Sequence, residues 1–155
     1  MPRAPQQVLV LPYRRRAALE VAVLHRSDYD CWQFVAGGVE EGETIEAAAR
    51  REGFEEAGIS KAASYQQLDA TAMMPACYFS AWPTWPAHVL LVPEHAFAVE
   101  TEAITLSAEH DDARWLGYAE AVALLHYDSN RVALWELRER LYPGERCKRT
   151  AFTDV

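Results

Sequence analysis

The sequence GGVEEGETIEAAARREGFEEAGI, residues 37–59, contains a glycine pair, a helix with capping residues and a cluster of acids in one continuous segment. Thr44 is a favoured N-cap residue type, and the residues after it predict a helix over 45–57. Gly58 is a favoured C-terminal stop for such a helix. This segment is the strongest structural signal in the chain, and the rest of the fold is interpreted around it.

Three acids of this helix, Glu52, Glu55 and Glu56, lie within an arc of roughly 100° at one end of the predicted buried stripe. Carboxylates packed this closely raise each other's pKa unless a multivalent cation lies among them, and Mg²⁺ or Mn²⁺ prefers such oxygen ligands. The alternative is a solvated acidic patch relieved by pairs such as Arg51 with Glu55, each worth about 0.3 kcal/mol. Considered alone, the acids favour the patch; the surrounding segment favours the metal site.

The same segment resembles the Nudix box, G-x5-E-x7-R-E-U-x-E-E-x-G-U, in which U is an apolar residue. The matching positions are Gly37, Glu43, Arg51, Glu52, Glu55, Glu56, Gly58 and Ile59. Gly53 departs from the pattern, because it stands where the family usually has an aliphatic residue, and we expect looser helix packing there by about 1 kcal/mol. The resemblance implies a Nudix fold of the α/β (α+β) class, a mixed β-sheet sandwiched between α-helices.

The resemblance also implies roles for individual residues. Glu52, Glu55, Glu56 and the backbone carbonyl of Ala36 would bind one or more Mg²⁺ ions, for which Mn²⁺ is a possible substitute. Arg51 would orient a glutamate through an ion pair. The loop-helix-loop would be supported by Gly37, Glu43 and Gly58. The catalytic set would then be Glu55, Glu56, Arg51 and one further residue, Glu109.

Nudix enzymes cleave a nucleoside diphosphate linked to another group by the attack of water on a pyrophosphate phosphorus. A bound cation would offset the charge of the substrate and that of the protein. The general base is either a box glutamate or a carboxylate from a later loop. Glu109, which lies in SAEHDD (residues 107–112) before a predicted strand, is our candidate, and an ordinary polar loop is an equally good interpretation of that stretch.

Three stretches outside the box, residues 25–44, 109–116 and 129–131, are similar to the bacterial dihydroneopterin triphosphate pyrophosphohydrolase branch of the family. The similarity implies a purine-like or pterin-like base on a triphosphate as substrate, with a monophosphate and pyrophosphate as products. Other substrates are dATP, oxidised deoxynucleoside triphosphates and dinucleoside polyphosphates. A non-catalytic nucleotide-binding module is a further alternative, although its box would usually be degraded, whereas every acid is present here.

Several residues outside the box are candidates for substrate binding. Arg26, at the end of a predicted strand, would contact phosphate, or is an unremarkable surface arginine. Asn130 would hydrogen-bond the ring edge, or caps the last helix. Trp32 is the candidate for stacking on the base, together with Trp82 and Trp85, although tryptophan in a strand is more often part of the core.

Composition limits the partners. The 155 residues, half of them hydrophobic, favour a single domain over 1–155. The 23 acidic and 15 basic residues give a net charge of -8, which opposes binding to a run of nucleic-acid phosphates and disfavours RNA-cap hydrolysis. We therefore expect a small nucleotide-like substrate and no nucleic-acid partner. The oligomeric state stays open between monomer and homodimer.

The cysteines and the apolar runs predict the compartment. Cys31, Cys77 and Cys147 form no CxxC pair, so we expect no disulfide framework, no zinc site and a cytoplasmic location. No apolar run reaches the length of a signal peptide or a membrane span, so we expect no membrane partner. We expect the polar, basic tail over residues 143–155 to be poorly ordered.

Further elements follow from hydrophobic patterning. Strands are predicted at residues 8–13, 18–25 and 31–35, the last ending at the Gly37-Gly38 pair. Residues 64–92 look strand-like, most clearly at 76–81 and 88–92, with a break at 82–86. A further strand pair is predicted near 103–106 and 113–116, followed by helices at 118–125 and 130–141. The predicted inner face of the last helix is Val132, Leu134, Trp135, Leu137 and Leu141.

Overall fold

The computed structural model describes residues 2–143, so nearly all of the tail predicted over 143–155 lies outside the described residues, as does Cys147. The elements in chain order are β1 (Arg3–Arg15), β2 (Leu19–Arg26), β3 (Trp32–Gln33), β4 (Val35–Glu40), α1 (Ile45–Ala57), β5 (Tyr65–Pro75), β6 (Leu91–Glu100), β7 (His110–Leu116), α2 (Tyr118–Leu124) and α3 (Asp128–Leu141). Two short 3-10 turns, Ala76–Tyr78 and Trp82–Thr84, lie between β5 and β6.

The strands form one mixed seven-stranded sheet in the order β3-β2-β1-β6-β5, with β4 paired to β1 and β7 paired to β2. The long strand β1 pairs antiparallel with β2 near its end and antiparallel with β4 nearer its start. Along its other side β1 runs parallel to β6. The pairing brings β4, β1 and β6 side by side, and all three strands contribute residues to one cavity.

Both faces of the sheet are covered, because β1 is buried continuously from Gln7 to Tyr13. One face carries Val8, Val10, Phe97 and Val99 under helix α1. The opposite face packs against α2 and α3, with Leu9, Leu11, Leu134 and Leu137 at its centre. The predicted architecture of a mixed sheet between helices is confirmed. Within residues 2–143, no helix has the length and hydropathy needed to cross a bilayer.

Helix α1 has the predicted bounds and caps. The Thr44 hydroxyl accepts a hydrogen bond from the Ala47 N–H at 3.1 Å. Gly58 has φ 67°, a left-handed conformation that glycine tolerates, and its N–H donates to the Phe54 carbonyl at 3.0 Å. The looser packing expected at Gly53 is not found, because the Tyr65 hydroxyl takes the space in which a side chain at position 53 would lie.

Two predicted strands, 76–81 and 103–106, are wrong, and the strand predicted at 88–92 overlaps β6 only at Leu91 and Val92. Residues 76–81 form a 3-10 turn and part of a connecting loop. The two ends of this loop are joined by a hydrogen bond from the Ala76 N–H to the Leu90 carbonyl at 2.9 Å. Three prolines in residues 75–86 interrupt any ladder there. Residues 103–106 also form no strand, because the Thr105 N–H donates to the Ala57 carbonyl at the end of α1 at 2.8 Å instead of to a neighbouring strand.

Two element details also differ from the prediction. Strand β4 does not end at the glycine pair but runs through it, with Gly37 opposite Val8 and Gly38 opposite Gln7. On α3, Val132 and Trp135 are exposed rather than inward-facing. The buried side of α3 instead comprises Asn130, Ala133, Leu134 and Leu137. This set follows the i, i+3, i+4, i+7 spacing of one helix face, and a buried polar residue begins it.

Candidate active site

The acidic end of α1 opens into a cavity of about 730 Å³ lined by residues of β1, β4, α1, α3 and the turn before β7. Glu52 and Glu56 line this cavity, and so do Ala36 and Glu109. Both helix glutamates are buried, at 8% and 4% exposure. Glu55 does not line it, because its side chain turns outward and is 54% exposed. The structure thus places three of the four predicted acids together.

Arg51 connects the acids to the loop before the helix. Its guanidinium donates to both carboxylate oxygens of Glu43, at 3.0 and 2.9 Å, and to the Gly38 carbonyl at 2.8 Å. It also donates to Glu52 at 2.7 Å and to Glu55 at 3.4 Å. The Arg51 guanidinium holds the pKa of the Glu43 carboxyl below its usual range. Arg51 therefore fixes the orientation of Glu52 relative to β4, because a guanidinium donates in a rigid planar geometry.

The glycine pair leaves room for two charged groups. A Cβ atom at position 37 would overlap the Glu52 carboxyl group, and one at position 38 would overlap the guanidinium of Arg3. The requirement for glycine here is therefore close approach of side chains from other elements. Neither Gly37 nor Gly38 has a positive φ.

The two buried glutamates carry strongly perturbed pKa values. Burial raises the pKa of Glu52, with the ion pair to Arg51 opposing the rise. Burial, reinforced by the charges of Glu52 and Glu109, raises the pKa of Glu56 to about 9. The Glu56 Oε2 atom is buried and has no hydrogen-bond partner in the described part of the chain. Two desolvated carboxyls this close share a proton rather than both ionising.

His110 lies against the same pair. Its Nδ1 atom is 3.9 Å from the Glu56 Oε2, too far for a hydrogen bond, and neither ring nitrogen has a partner within residues 2–143. Burial lowers the pKa of His110, so the imidazole is neutral at neutral pH. The neutral His110 ring therefore supplies no positive charge to the Glu52–Glu56 pair.

The donor set fits a hard divalent cation. Glu52, Glu56 and Glu109 supply carboxylate oxygens at one cavity, and the unpartnered Glu56 oxygen has unused acceptor capacity. Within the described part of the chain, no three such side chains already converge at metal-ligand spacing. Glu55 would join the set through a change of side-chain rotamer that breaks its 3.4 Å contact with Arg51.

Two predicted substrate contacts line the cavity. The guanidinium of Arg26 makes two hydrogen bonds to Asp28, at 2.7 and 2.6 Å, and lies over the Tyr29 ring. Asn130 is buried, and its side-chain oxygen accepts a hydrogen bond from the Phe34 N–H at 2.9 Å. Asn130 does not cap α3, which begins two residues earlier, at Asp128.

The three tryptophans predicted as stacking partners, Trp32, Trp82 and Trp85, lie outside the cavity. The Trp32 ring centre lies 4.9 Å from that of His25 and 4.5 Å from the Arg114 guanidinium carbon. The indole N–H of Trp82 donates to Val89, and that of Trp85 to the Arg3 carbonyl. None of them lines the cavity, so the prediction that Trp32 stacks on a base is not supported by its position. The aromatic lining consists of Tyr29, Tyr78, Phe79 and Tyr127.

Three charged or polar residues of the cavity wall, Arg3, Gln7 and Glu94, are among those that were not predicted from the sequence. The Arg3 guanidinium lies 4.7 Å from the centre of the Phe79 ring, and its burial lowers its pKa. Gln7 and Glu94 are the polar members of the buried positions in β1 and β6, whose other buried residues are apolar. Their polar side chains were the signal in the sequence that could have identified them, because a buried strand position rarely has a polar side chain without a partner or a function.

The sequence comparisons identify the family of the chain. A family model described as the NUDIX domain matches residues 4–136, a range that begins in β1 and ends within α3. The chain belongs to the Nudix family of hydrolases. It is 32% identical to the dihydroneopterin triphosphate diphosphatase of Escherichia coli over 138 residues, which cover 85% of this chain and 91% of that Nudix relative. It is also 42% identical to an RNA pyrophosphohydrolase of Caulobacter vibrioides over 67 residues, 42% of this chain and 33% of that protein.

Solved Nudix structures share the fold. A NUDIX hydrolase from Listeria monocytogenes superposes with a TM-score of 0.81 at 42% identity, covering 91% of this chain and 97% of that one. The E. coli dihydroneopterin triphosphate pyrophosphohydrolase superposes with a TM-score of 0.73 at 30% identity, covering 90% of this chain and 99% of that one. Nudix hydrolases use divalent metal ions, in agreement with the donor set of the cavity.

Proposed function

We propose that this Nudix hydrolase is a Mg²⁺-dependent pyrophosphohydrolase that cleaves a nucleoside-triphosphate-like substrate to a monophosphate and pyrophosphate. The observation that carries the proposal is the buried pair Glu52 and Glu56, whose carboxyls lack a compensating cation among residues 2–143 except for Arg51 on Glu52. Burying such groups is costly unless they bind a metal or share a proton. Mn²⁺ is the expected substitute for Mg²⁺.

Each residue has a separate task in this proposal. Glu52 and Glu56, with Glu55 after a rotamer change and the Ala36 carbonyl, hold the cation. When bound, the cation neutralises phosphate charge and lowers the pKa of a water molecule. Glu109, on the cavity wall, accepts the proton of the attacking water. Arg51 keeps Glu52 in place.

The phosphates are received by the two cavity arginines. Arg26 is held by Asp28 and can exchange that partner for a phosphate oxygen, since both are bidentate acceptors. Arg3 lies against Gly38 of the glycine pair. Its buried Nε atom has no hydrogen-bond partner within residues 2–143. The two arginines supply positive charge to the wall of a cavity that also contains Glu52, Glu56, Glu94 and Glu109.

The favoured substrate is dihydroneopterin triphosphate. One relative supports it in two comparisons: the alignment with the E. coli enzyme named for that substrate covers most of both chains at 32% identity, and the structure of that enzyme superposes with a TM-score of 0.73. The alternative substrates are dATP, oxidised deoxynucleoside triphosphates and dinucleoside polyphosphates. The RNA pyrophosphohydrolase match covers only 42% of this chain, and the net charge of -8 opposes binding of an RNA strand.

A substrate panel tests the proposal. The panel contains dihydroneopterin triphosphate, dATP, 8-oxo-dGTP and a dinucleoside tetraphosphate, with pyrophosphate and phosphate release measured in Mg²⁺, in Mn²⁺ and in excess chelator. We expect chelator to abolish turnover and Glu56→Gln to lower kcat by at least about 100-fold. Glu46→Gln is the matched control, because Glu46 is an exposed acid in the first turn of the same helix. Tight nucleotide binding without turnover across the panel would favour a binding module instead.

A further inference from the structure

Glu94 is a buried carboxyl that the hydrolysis itself does not use. It lies on β6 at 5% exposure and lines the same cavity as Glu52 and Glu56. Burial raises the pKa of Glu94, and no cationic side chain of residues 2–143 offsets this effect. A carboxyl in such a position is costly to keep, so its presence at a cavity wall indicates a function.

The position of Glu94 separates it from the proposed metal site. Gly38 on β4, Gln7 on β1 and Glu94 on β6 are consecutive partners in one row across the sheet. Their neighbours Leu9 and Ala96 belong to the face that packs on α2 and α3, whereas the acids of α1 lie over the other face. The cavity extends between the two faces past the glycine pair, which has no side chains. It therefore has an acidic catalytic end and a second polar end around Glu94.

Two chains of polar groups lead along the cavity wall toward the Glu94 carboxyl. In the first, the Phe34 N–H donates to Asn130, and the Asn130 amide donates to the Ser129 hydroxyl at 3.3 Å. The Ser129 hydroxyl is then left to donate to Glu94, and its hydrogen bond lowers the pKa of that carboxyl.

The second chain begins at Arg3. The Arg3 guanidinium donates to the side-chain oxygen of Gln7, so the amide nitrogen of Gln7 faces away from it as a donor. Hydrogen bonding from Gln7 also lowers the pKa of Glu94. Both chains deliver donors, which favours the ionised carboxylate. A carboxylate has about four lone-pair positions, so roughly two remain for a ligand.

We propose that Glu94 determines the base specificity of this enzyme by accepting hydrogen bonds from a ring N–H and the adjacent exocyclic amino group of a 2-amino-4-oxopyrimidine edge. Pterins and guanine share this edge. The inference rests on the proposed function and specifies the substrate class of that same site. A buried acceptor pair recognises an adjacent donor pair and rejects bases that lack one of the two donors, because the unmet carboxylate oxygen is left desolvated.

Other bases present the wrong pattern to a carboxylate. Adenine has a ring-nitrogen lone pair beside its amino group, which would face a carboxylate oxygen and repel it. Hypoxanthine keeps the ring N–H but lacks the 2-amino group, so inosine triphosphate differs from GTP in one donor alone. This pair of nucleotides isolates the proposed contact without changing the protein.

The experiment measures kcat/KM for dihydroneopterin triphosphate, GTP, ITP and ATP in Mg²⁺, with wild type, Glu94→Gln and the control Glu100→Gln. Glu100 is on the same strand but exposed, and it pairs with Arg15. For wild type we expect both 2-amino substrates to exceed ITP and ATP by about 10-fold or more. The ratio of dihydroneopterin triphosphate to GTP separates the two sources of the shared edge.

In Glu94→Gln we expect kcat/KM to fall by about 10- to 100-fold for the 2-amino substrates and by less than about 3-fold for ITP. Glu100→Gln should match wild type. Equal wild-type rates for GTP and ITP, a preference for ATP, or an equal loss on all substrates in Glu94→Gln would overturn the inference. Absence of turnover on every substrate would instead contradict the proposed function, and the wild-type comparison remains decisive if the variant does not fold.

Discussion

The carboxyl group of Glu52 occupies the space that a side chain at position 37 would fill. Arg51 holds Glu52 there from the other side by an ion pair of 2.7 Å. A helix residue and a strand residue thus define one wall of the cavity together. The glycine at the start of the Nudix box is required because Glu52 approaches the β4 backbone closely.

Replacing Gly37 by alanine should displace Glu52 without disrupting the strand. Gly37 has no positive φ, so alanine is compatible with its backbone conformation. We expect kcat/KM to fall by about 10- to 100-fold, because the Glu52 carboxyl moves and disturbs the metal geometry. Gly117→Ala is the control, since no atom lies near the added methyl group there. Unchanged turnover in Gly37→Ala, measured by pyrophosphate release, would show that the position of Glu52 is not critical.

Replacing Arg51 by lysine should weaken both stability and turnover. Lysine keeps the charge but loses the planar donor arrangement that contacts Glu43, Gly38 and Glu52 together. We expect a loss of about 1–2 kcal/mol in the free energy of unfolding, measured in urea, and a fall of about 10-fold or more in kcat. Arg16→Lys is the control, because Arg16 makes an exposed salt bridge with Glu102, far in the sequence from the box. Wild-type turnover in Arg51→Lys would mean that charge alone suffices.

Gly53 and Tyr65 form a size-matched pair. A methyl group at position 53 would overlap the Tyr65 hydroxyl, which is buried and has no hydrogen-bond partner within residues 2–143. We expect Gly53→Ala to lower the free energy of unfolding by about 1–3 kcal/mol in wild type, although alanine favours helix. In a Tyr65→Phe background the same change should be neutral or stabilising. Equal effects in both backgrounds, measured as a double-mutant cycle, would contradict the pairing.

His25 should make stability depend on pH. Its two ring nitrogens lie 2.6 Å from Asp111 and 2.9 Å from Asp30, and these hydrogen bonds raise the pKa of His25 above its ordinary value of 6.5. The folded state therefore binds the proton more tightly than the unfolded state does. The stabilisation is fully present below pH 6.5 and is lost as pH rises through the higher folded pKa.

Urea midpoints at pH 6 and pH 8.5 test this effect. We expect wild type to lose more stability between the two pH values than His25→Gln does, because glutamine does not titrate. An identical pH dependence of stability in the two proteins would contradict a contribution of His25 protonation to folding. The pair with Asp111 also helps to hold the turn that carries Glu109, together with Ser27, whose N–H and hydroxyl donate to the Glu109 carbonyl.

The parts of the structure that depend on local sequence were predictable. Helix α1 followed from Thr44, the apolar spacing and Gly58, since capping and periodicity act within a few residues. The strand predicted at 76–81 failed because its apolar residues lie in a loop interrupted by prolines. The strand predicted at 103–106 failed because Ile104 and Leu106 are half-buried against the α1 side of the core, where their apolar spacing satisfies packing without a strand partner among residues 2–143.

The site was predictable to the extent that one helix carries it. Glu52 and Glu56 share a helical face, so their juxtaposition followed from spacing alone. Arg3, Gln7 and Glu94 meet only through the pairing of β1 with β6 and the folding of residues 76–90, which no local pattern specifies. The exposure of Glu55 also depends on a tertiary contact, its competition with Glu43 and Glu52 for Arg51.

Metal-dependent stability tests the central claim most directly. The free energy of unfolding of wild type and Glu56→Gln should be measured at pH 8 in chelator and in excess Mg²⁺. We expect Glu56→Gln to be the more stable protein in chelator by roughly 1–3 kcal/mol, since it removes a buried carboxyl whose Oε2 atom has no hydrogen-bond partner within residues 2–143. Mg²⁺ should stabilise wild type by about 2 kcal/mol or more and leave the variant nearly unchanged. An equal response of the two proteins to Mg²⁺ would contradict the proposal that Glu56 helps to hold the cation.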